Sequence, residues 1–99
     1  MTNIAIFVSG SGTNCENIIK HFADDPNVHI ALVFSNKSDA YALVRAANHH
    51  VPTAVLTKAE FNDEVKVMAL LNAHKVNFIV LAGFLLMIPP FLVAAFHQR

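Results

Sequence analysis

The sequence predicts a single α/β domain with a doubly wound, Rossmann-like parallel sheet. Short runs of branched apolar residues, typical of strands buried on both faces, alternate with segments whose apolar residues recur at helical spacing. A run of small residues, SGSGTN, follows the first strand at residues 9–14 and is called the glycine loop below. Loops in this position lie at the carboxyl ends of the strands, where such folds bind ligands. The 99 residues contain no internal repeat and no low-complexity linker, so we expect one domain over residues 1–99.

Four strands are predicted, at residues 4–8, 28–34, 51–56 and 78–81. Pro52 cannot donate to a strand ladder and therefore places the third strand near an edge of the sheet. Alternation of strands and helices implies right-handed crossovers and helices on both faces. We expect the strand order 3-2-1-4.

Four helices are predicted between and after these strands. The first follows the glycine loop and carries one apolar face formed by Cys15, Ile18, Ile19 and Phe22. Asp39 is expected to cap the second helix, and the third is expected to begin at Glu60 or Asn62 and to run to His74. Pro89 and Pro90 are suited to the first turn of a fourth helix, so the chain is expected to stop after its fourth strand–helix unit.

The composition excludes several classes of protein. Seven basic residues balance seven acidic ones and are scattered, which argues against a nucleic-acid partner. One cysteine excludes an internal disulfide framework and fits a reducing compartment, and no basic segment precedes the first strand, so we expect a cytoplasmic protein. Residues 78–96 form an uncharged run almost long enough for a membrane span, but Gly83, Pro89 and Pro90 divide it into pieces, and it is interpreted as core.

The glycine loop is compatible with more than one ligand. A triphosphate loop requires a lysine that is absent here. The dinucleotide pattern G-x-G-x-x-G is met at Gly10 and Gly12 but has Cys15 at its third position, although Lys37 could serve a 2′-phosphate. A single phosphate needs only a few N–H groups at a helix start, and a turn with a helix cap needs no ligand at all. The residues of the loop alone leave these last three possibilities open.

Three segments in the same order carry a resemblance to a known family. They are the glycine loop, VFSNKSDAYAL at residues 33–43 and LAGFLLMI at residues 81–88. In sequence and spacing they resemble the phosphoribosylglycinamide formyltransferases, the folate-dependent glycinamide ribonucleotide transformylases of purine synthesis. The resemblance covers essentially all 99 residues and corresponds to the amino-terminal half of the family's chain. The chain is therefore expected to be a piece of a longer protein.

The resemblance implies two binding sites and a reaction. The substrate phosphate would be bound by Gly12, Thr13 and Asn14. The pterin pocket for the co-substrate 10-formyltetrahydrofolate would be lined by Leu85, Leu86, Met87 and Ile88, with Leu86 where the family often has a basic residue. The reaction would move a formyl group to the amine of glycinamide ribonucleotide without a metal. The alternatives are a relative that resembles formyltetrahydrofolate hydrolase and a dinucleotide-binding module of Rossmann type.

The family's catalytic motif is missing from this chain. Its Asn and His lie in an N-x-H-P-S segment that does not occur in the 99 residues, so no catalytic residue is assigned and the chain alone is predicted to be inactive. The six histidines are expected at the surface, without carboxylates nearby and without a metal. The fourth strand is expected to leave an exposed edge through which the chain could form a homodimer.

Overall fold

A four-stranded parallel sheet forms the centre of the molecule. The computed structural model describes residues 2–10, 12–82 and 84. The strands run in the order β3-β2-β1-β4, which confirms the predicted topology and places β3 at an edge. Their bounds are β1 (Thr2–Val8), β2 (Val28–Ser35), β3 (Thr53–Val55) and β4 (Phe78–Leu81).

The described helices are α1 (Thr13–Phe22), α2 (Tyr41–Asn48), α3 (Lys58–Phe61) and α4 (Glu64–Ala73). The predicted start of the third helix at Glu60 is wrong, because the chain breaks at Asn62 and Asp63. The alternative start at Asn62 lies one residue before the N-cap of α4, and the predicted end at His74 is its C-cap. Asp63 instead caps α4 by accepting the Lys66 N–H at 3.3 Å. Thr57 and Glu60 form a capping box at the start of α3, since each side chain accepts the other residue's backbone N–H. The helix predicted after Pro90 lies outside the described residues.

Strand β1 separates two hydrophobic clusters. Its residues Ile4, Ile6 and Val8 pack with buried side chains of α1 and α2 on one face. Ala5 and Phe7 pack with buried side chains of α3 and α4 on the other. Side chains alternate between faces along a strand, so a central strand covered on both sides must be apolar at every position. This accounts for the uninterrupted apolar run that predicted the strand.

The neighbouring strand β2 breaks this alternation at Ala31. Ile4 pairs with Ile30 but Ala5 pairs with Leu32, so Ala31 has no residue opposite it in β1. Such an extra residue shifts the side-chain alternation of its own strand. As a result Ala31 and Leu32, although consecutive, both belong to the cluster beneath α3 and α4.

Phenylalanine rings fill the α3–α4 side of the sheet. The Phe34 and Phe61 rings stack with centroids 5.3 Å apart, and Phe7 meets Phe34 at 4.8 Å. Phe84, which follows β4, lies 5.4 Å from Phe7 and 5.3 Å from Phe61. These contacts anchor the beginning of the segment after β4 to the core.

The uncharged run at residues 78–96 starts as strand β4 rather than as a helix. Within the part of the chain that the structure describes, no helix has the length and apolar character needed to cross a bilayer. Most of the run beyond β4 is outside that part.

Candidate functional site

The glycine loop lies at the carboxyl end of the central strand β1. There Val8 pairs with Ser35 of β2, and the Phe7 carbonyl accepts the Ala82 N–H at 2.9 Å on the β4 side. The loop is therefore flanked by the carboxyl ends of two other strands. This is the edge of a parallel sheet at which ligands bind in folds of this type.

Ser9 connects the loop to the end of β2. Its buried hydroxyl donates to Asn36 Oδ1 at 2.6 Å. One residue before Asn36, the hydroxyl of Ser35 accepts the Lys37 N–H at 3.1 Å. Two of the three segments that carry the family resemblance are thus joined by a hydrogen bond. Sequence reasoning assigned no role to Ser9 or Asn36, although both are polar residues that directly follow neighbouring buried strands.

Gly12 shapes the start of α1. It is the N-cap residue, with φ of 83° in the left-handed region, and its carbonyl accepts the Glu16 N–H at 2.8 Å. A β-carbon at this position would lie 2.5 Å from Ala42 Cα and would also overlap Ala42 Cβ. Helix α2 is bonded to the same loop, because the Ala42 N–H donates to the Gly10 carbonyl at 3.4 Å. Glycine is required at position 12 by backbone conformation and by the close approach of α2.

Thr13 and Asn14 are the first two residues of α1, and both are exposed. Neither caps the helix, contrary to the ligand-free alternative, because the N-cap position belongs to Gly12. Backbone N–H groups in the first turn of a helix have no acceptor within that helix, and they lie at the positive end of its dipole. This end of α1 is electrostatically suited to an anion.

An open cleft of about 490 Å³ lies beside the loop, between α1 and the end of β4. Asn14 belongs both to the loop and to the rim of this cleft. The other lining residues are Asn17, Ile18, His21, Phe22, Leu81 and Ala82. A ligand bound at the start of α1 could therefore extend along the helix into a pocket with polar and apolar walls.

An ion-pair network joins the first turns of α1 to α2. The Glu16 carboxylate lies 2.7 Å from Arg45 Nη1 and 3.1 Å from His49 Nε2. The hydrogen bond from His49, with a further one from Arg45, lowers the pKa of Glu16. The expectation that every histidine lies at the surface without a nearby carboxylate is therefore wrong for His49, whose partner comes from another helix and is not visible from sequence spacing.

Cys15 occupies the third position of the dinucleotide pattern. Its side chain is fully buried in the cluster beneath α1 and α2. Burial, together with the nearby negative charge of Glu16, raises the pKa of this thiol to about 11. Cys15 is therefore a protonated core residue. Lys37, the side chain required by the dinucleotide alternative, is exposed.

The residues predicted to bind the folate follow β4 in the sequence. Leu85, Leu86, Met87 and Ile88 lie outside the described residues. Phe84, immediately before them, is held in the phenylalanine cluster. Across residues 2–10, 12–82 and 84, no three histidine, cysteine or acidic side chains lie together in an arrangement that could hold a metal ion.

Comparison with known proteins identifies the family. A family model described as formyl transferase matches residues 2–99. The chain belongs to the formyl transferase family. This membership favours the formyltransferase interpretation of the glycine loop over a separate dinucleotide-binding module, and it is consistent with a buried cysteine where a dinucleotide site has glycine.

Relatives of the chain include phosphoribosylglycinamide formyltransferases. The enzyme of that name from Haemophilus influenzae is 40% identical over 96 residues, which cover 91% of this chain and 45% of the relative. The chloroplastic one from Arabidopsis thaliana is 34% identical, over 97% of this chain and 35% of its own length. The crystal structure of glycinamide ribonucleotide transformylase 1 from Geobacillus kaustophilus matches the whole chain with a TM-score of 0.89 and 29% identity, over 55% of that protein. This formyl transferase chain thus spans about half the length, or less, of the relatives it matches.

Proposed function

We propose that this chain is the nucleotide-binding half of an enzyme that transfers a formyl group from 10-formyltetrahydrofolate to the amine of glycinamide ribonucleotide in purine synthesis. Family membership and the names of the relatives support the reaction. The observation that carries the proposal is the position of the glycine loop, which places the start of α1 at the carboxyl end of the central strand and beside an open cleft.

In this proposal the phosphate of the ribonucleotide binds at Gly12, Thr13 and Asn14. Backbone N–H groups of the first turn donate to its oxygens, and the Asn14 side-chain amide adds a neutral donor. Each hydrogen bond to the charged group is worth about 1.5–3 kcal/mol. The ribose and the glycinamide amine then extend from Asn14 into the cleft along α1.

The chemical step needs groups that this chain does not supply. The amine attacks the formyl carbon to give an oxyanion, which collapses with cleavage of the bond from that carbon to the folate nitrogen and releases tetrahydrofolate. The oxyanion, the proton lost by the amine and the proton gained by the folate nitrogen require a positioned amide, an imidazole and a carboxylate. The N-x-H-P-S motif that carries two of these groups in the family does not occur in the 99 residues. We therefore expect no turnover from this chain alone. Formyl transfer measured above the uncatalysed rate would contradict the proposal that the chain binds the nucleotide but lacks the catalytic groups.

The folate co-substrate is assigned to the segment after β4. Leu85, Leu86, Met87 and Ile88 would form one wall of the pterin pocket, and Phe84, whose ring packs against Phe61, directly precedes them in the sequence. The reaction requires no metal under this proposal, and the enzyme is assigned to the cytoplasm.

The phosphate site is tested by Asn14→Asp, with Asn72→Asp as the matched control. Both asparagines are exposed on helices, but only Asn14 is in the first turn of α1 and lines the cleft, whereas Asn72 lies on α4 at the other face of the sheet. A carboxylate at position 14 favours the helix dipole by about 0.3–1 kcal/mol, so the variant keeps or gains stability. The same carboxylate repels a phosphate, and we expect ribose 5-phosphate to bind at least about tenfold more weakly in an amide NMR titration.

The control defines what would contradict the proposal. Asn72→Asp introduces the same charge on the other face of the sheet and is expected to change the affinity by less than about threefold. Equal binding of ribose 5-phosphate by wild type and by Asn14→Asp would show that the phosphate does not bind at the start of α1. A relative that hydrolyses formyltetrahydrofolate has no need for a ribonucleotide phosphate, so selective binding of ribose 5-phosphate over ribose would favour the transferase.

A further inference from the structure

Arg45 lies outside the glycine loop, and two neighbouring side chains hold its guanidinium in place. Its guanidinium donates to Glu16 Oε1 at 2.7 Å and lies over the Tyr41 ring, 4.9 Å from the ring centroid. It is thus held between a carboxylate of α1 and an aromatic ring of its own helix. Such a position limits the side chain to one arrangement in which its charge faces Glu16.

The partner of Arg45 is a negative charge close to the proposed anion site. Glu16 is the fourth residue of α1, and its backbone N–H donates to the carbonyl of Gly12. With a rise of about 1.5 Å per residue, its Cα lies only about 3–6 Å along the axis from Gly12, Thr13 and Asn14. A bare carboxylate there would interact favourably with the helix dipole and would thereby offset the positive potential that attracts a phosphate.

Helix α2 supplies the compensating groups from two successive turns. Arg45 takes one oxygen of the Glu16 carboxylate, and His49, four residues later, lies within hydrogen-bond distance of the other. The same helix contacts the loop itself through Ala42. Lys20, on α1, adds a further positive charge that favours the ionised form of Glu16. Helix α2 therefore both contacts the loop before α1 and carries the side chains that pair with the negative charge of Glu16.

We propose that Arg45 is a positioning residue for the phosphate site. By neutralising Glu16, Arg45 keeps the start of α1 attractive to an anion. The inference rests on the proposed phosphate site and assigns it a residue on another helix. Arg45 touches no substrate in this account. Its effect passes through the carboxylate of Glu16.

A double-mutant cycle on the 99-residue chain tests the inference, with ribose 5-phosphate as the probe at pH 7.5 and constant ionic strength. Arg45→Met removes the permanent positive charge beside Glu16 and should raise the Kd about five- to twentyfold. Glu16→Gln should bind as tightly as wild type or more tightly. The combination of both substitutions should return the Kd to within about twofold of wild type, because the pair is again neutral.

A purely structural role predicts a different pattern. If Arg45 acted only by packing α2 against α1, the double variant would bind no better than Arg45→Met, and that result would overturn the proposal. Arg45→Lys keeps the charge and is expected to stay within about threefold of wild type, which covers the case in which Arg45→Met does not fold. Dispersion of the amide spectrum reports folding of each variant separately.

The failure of this inference is distinguishable from failure of the proposed function. If wild type shows no shifts at the glycine loop on addition of ribose 5-phosphate, the phosphate site is wrong, and the role of Arg45 fails with it. If wild type binds and Arg45→Met binds equally well, the phosphate site stands and only the positioning role is overturned.

Discussion

A glycine at position 12 can be required for the fold as well as for anion binding, and the sequence pattern does not distinguish the two. At a phosphate loop, a β-carbon would restrict the turn and displace an anion. The structure shows a left-handed φ of 83° and, in addition, a helix backbone in the space of the missing side chain. Loss of phosphate binding in a Gly12 variant would therefore not by itself identify a phosphate contact.

The structural function of Gly12 predicts a stability difference between two glycines of the same loop. Gly12→Ala should lower the free energy of unfolding by about 2–4 kcal/mol, because it combines a disfavoured backbone conformation with overlap against Ala42. Gly10→Ala is the control, since a β-carbon at Gly10 meets no atom within 4 Å. It should change stability by less than about 0.5 kcal/mol.

Urea unfolding at constant slope measures both variants. Equal midpoints for the two substitutions would contradict the close approach of α2 to the loop.

At the scale of the element, the pair of helices α1 and α2 is joined by a contact that depends on pH. The pKa of Glu16 is lowered in the folded protein, first by its hydrogen bond with His49, so the folded state favours the ionised carboxylate. The contribution is therefore complete above the usual glutamate pKa of about 4.3 and is lost as the pH falls through the lower pKa of the folded state. Glu60 has a lowered pKa as well, because of its bonds with Thr57.

Comparison of wild type with Glu16→Gln isolates the first of these contributions. Glu60 is present in both proteins and cancels in the difference. We expect wild type to have the higher urea midpoint from pH 5 to 7, and the difference between the two proteins to shrink toward pH 3. A difference that stays constant over the whole range would show that the carboxylate of Glu16 is not the group responsible.

Strands and helices were predictable from sequence to different degrees. The buried runs of β1 and β2 identify themselves, because strands covered on both faces must be apolar throughout. The equally apolar run of β4 correctly predicts a strand, but its burial was overestimated, because three of its residues are half-buried and Leu81 is exposed. Asp39 was expected to cap α2, but the N-cap is Ala40 and makes no side-chain cap. A capping residue can be misplaced by one position because several polar residues precede the helix, and only the backbone dihedral angles select among them.

Features that depend on tertiary contacts were not predictable. The apolar pattern of α2 predicts a face with Ala40, Leu43, Val44 and Ala47. Ala40 is buried and Leu43 packs against the core, but Val44 is exposed, and the buried residues within the helix are Ala42 and Ala46. Small side chains are selected there because α2 approaches the glycine loop closely, and hydrophobicity alone does not report the distance between two helices. The hydrogen bond between Ser9 and Asn36 likewise joins residues that only the pairing of β1 with β2 brings together.

At the scale of the whole molecule, the strand at one edge of the sheet, β4, consists entirely of apolar residues. In the described part of the chain, β4 pairs with β1 alone, and Leu81 is 53% exposed at its end. Apolar edge strands are templates for pairing with another chain. We propose that this edge allows two copies of the chain to associate.

Sedimentation of Leu81→Lys against wild type tests the association. Wild type should dimerise or form larger species as its concentration rises, and a lysine on the edge should shift it toward the monomer. Val65→Lys is the control, because Val65 is 78% exposed but lies on α4 and not on the edge strand. A wild type that remains monomeric at high concentration would contradict the proposed interface.

The most direct test of the account is a crystal structure of the chain with ribose 5-phosphate, because it locates the phosphate without the use of a variant. The account predicts phosphate oxygens about 2.7–3.2 Å from backbone nitrogens of Gly12, Thr13 and Asn14, with the ribose directed into the cleft beside Asn17 and Leu81. A phosphate bound elsewhere on the sheet edge, or a ribose that binds with its phosphate turned away from α1, would contradict the assignment of the glycine loop as the phosphate site.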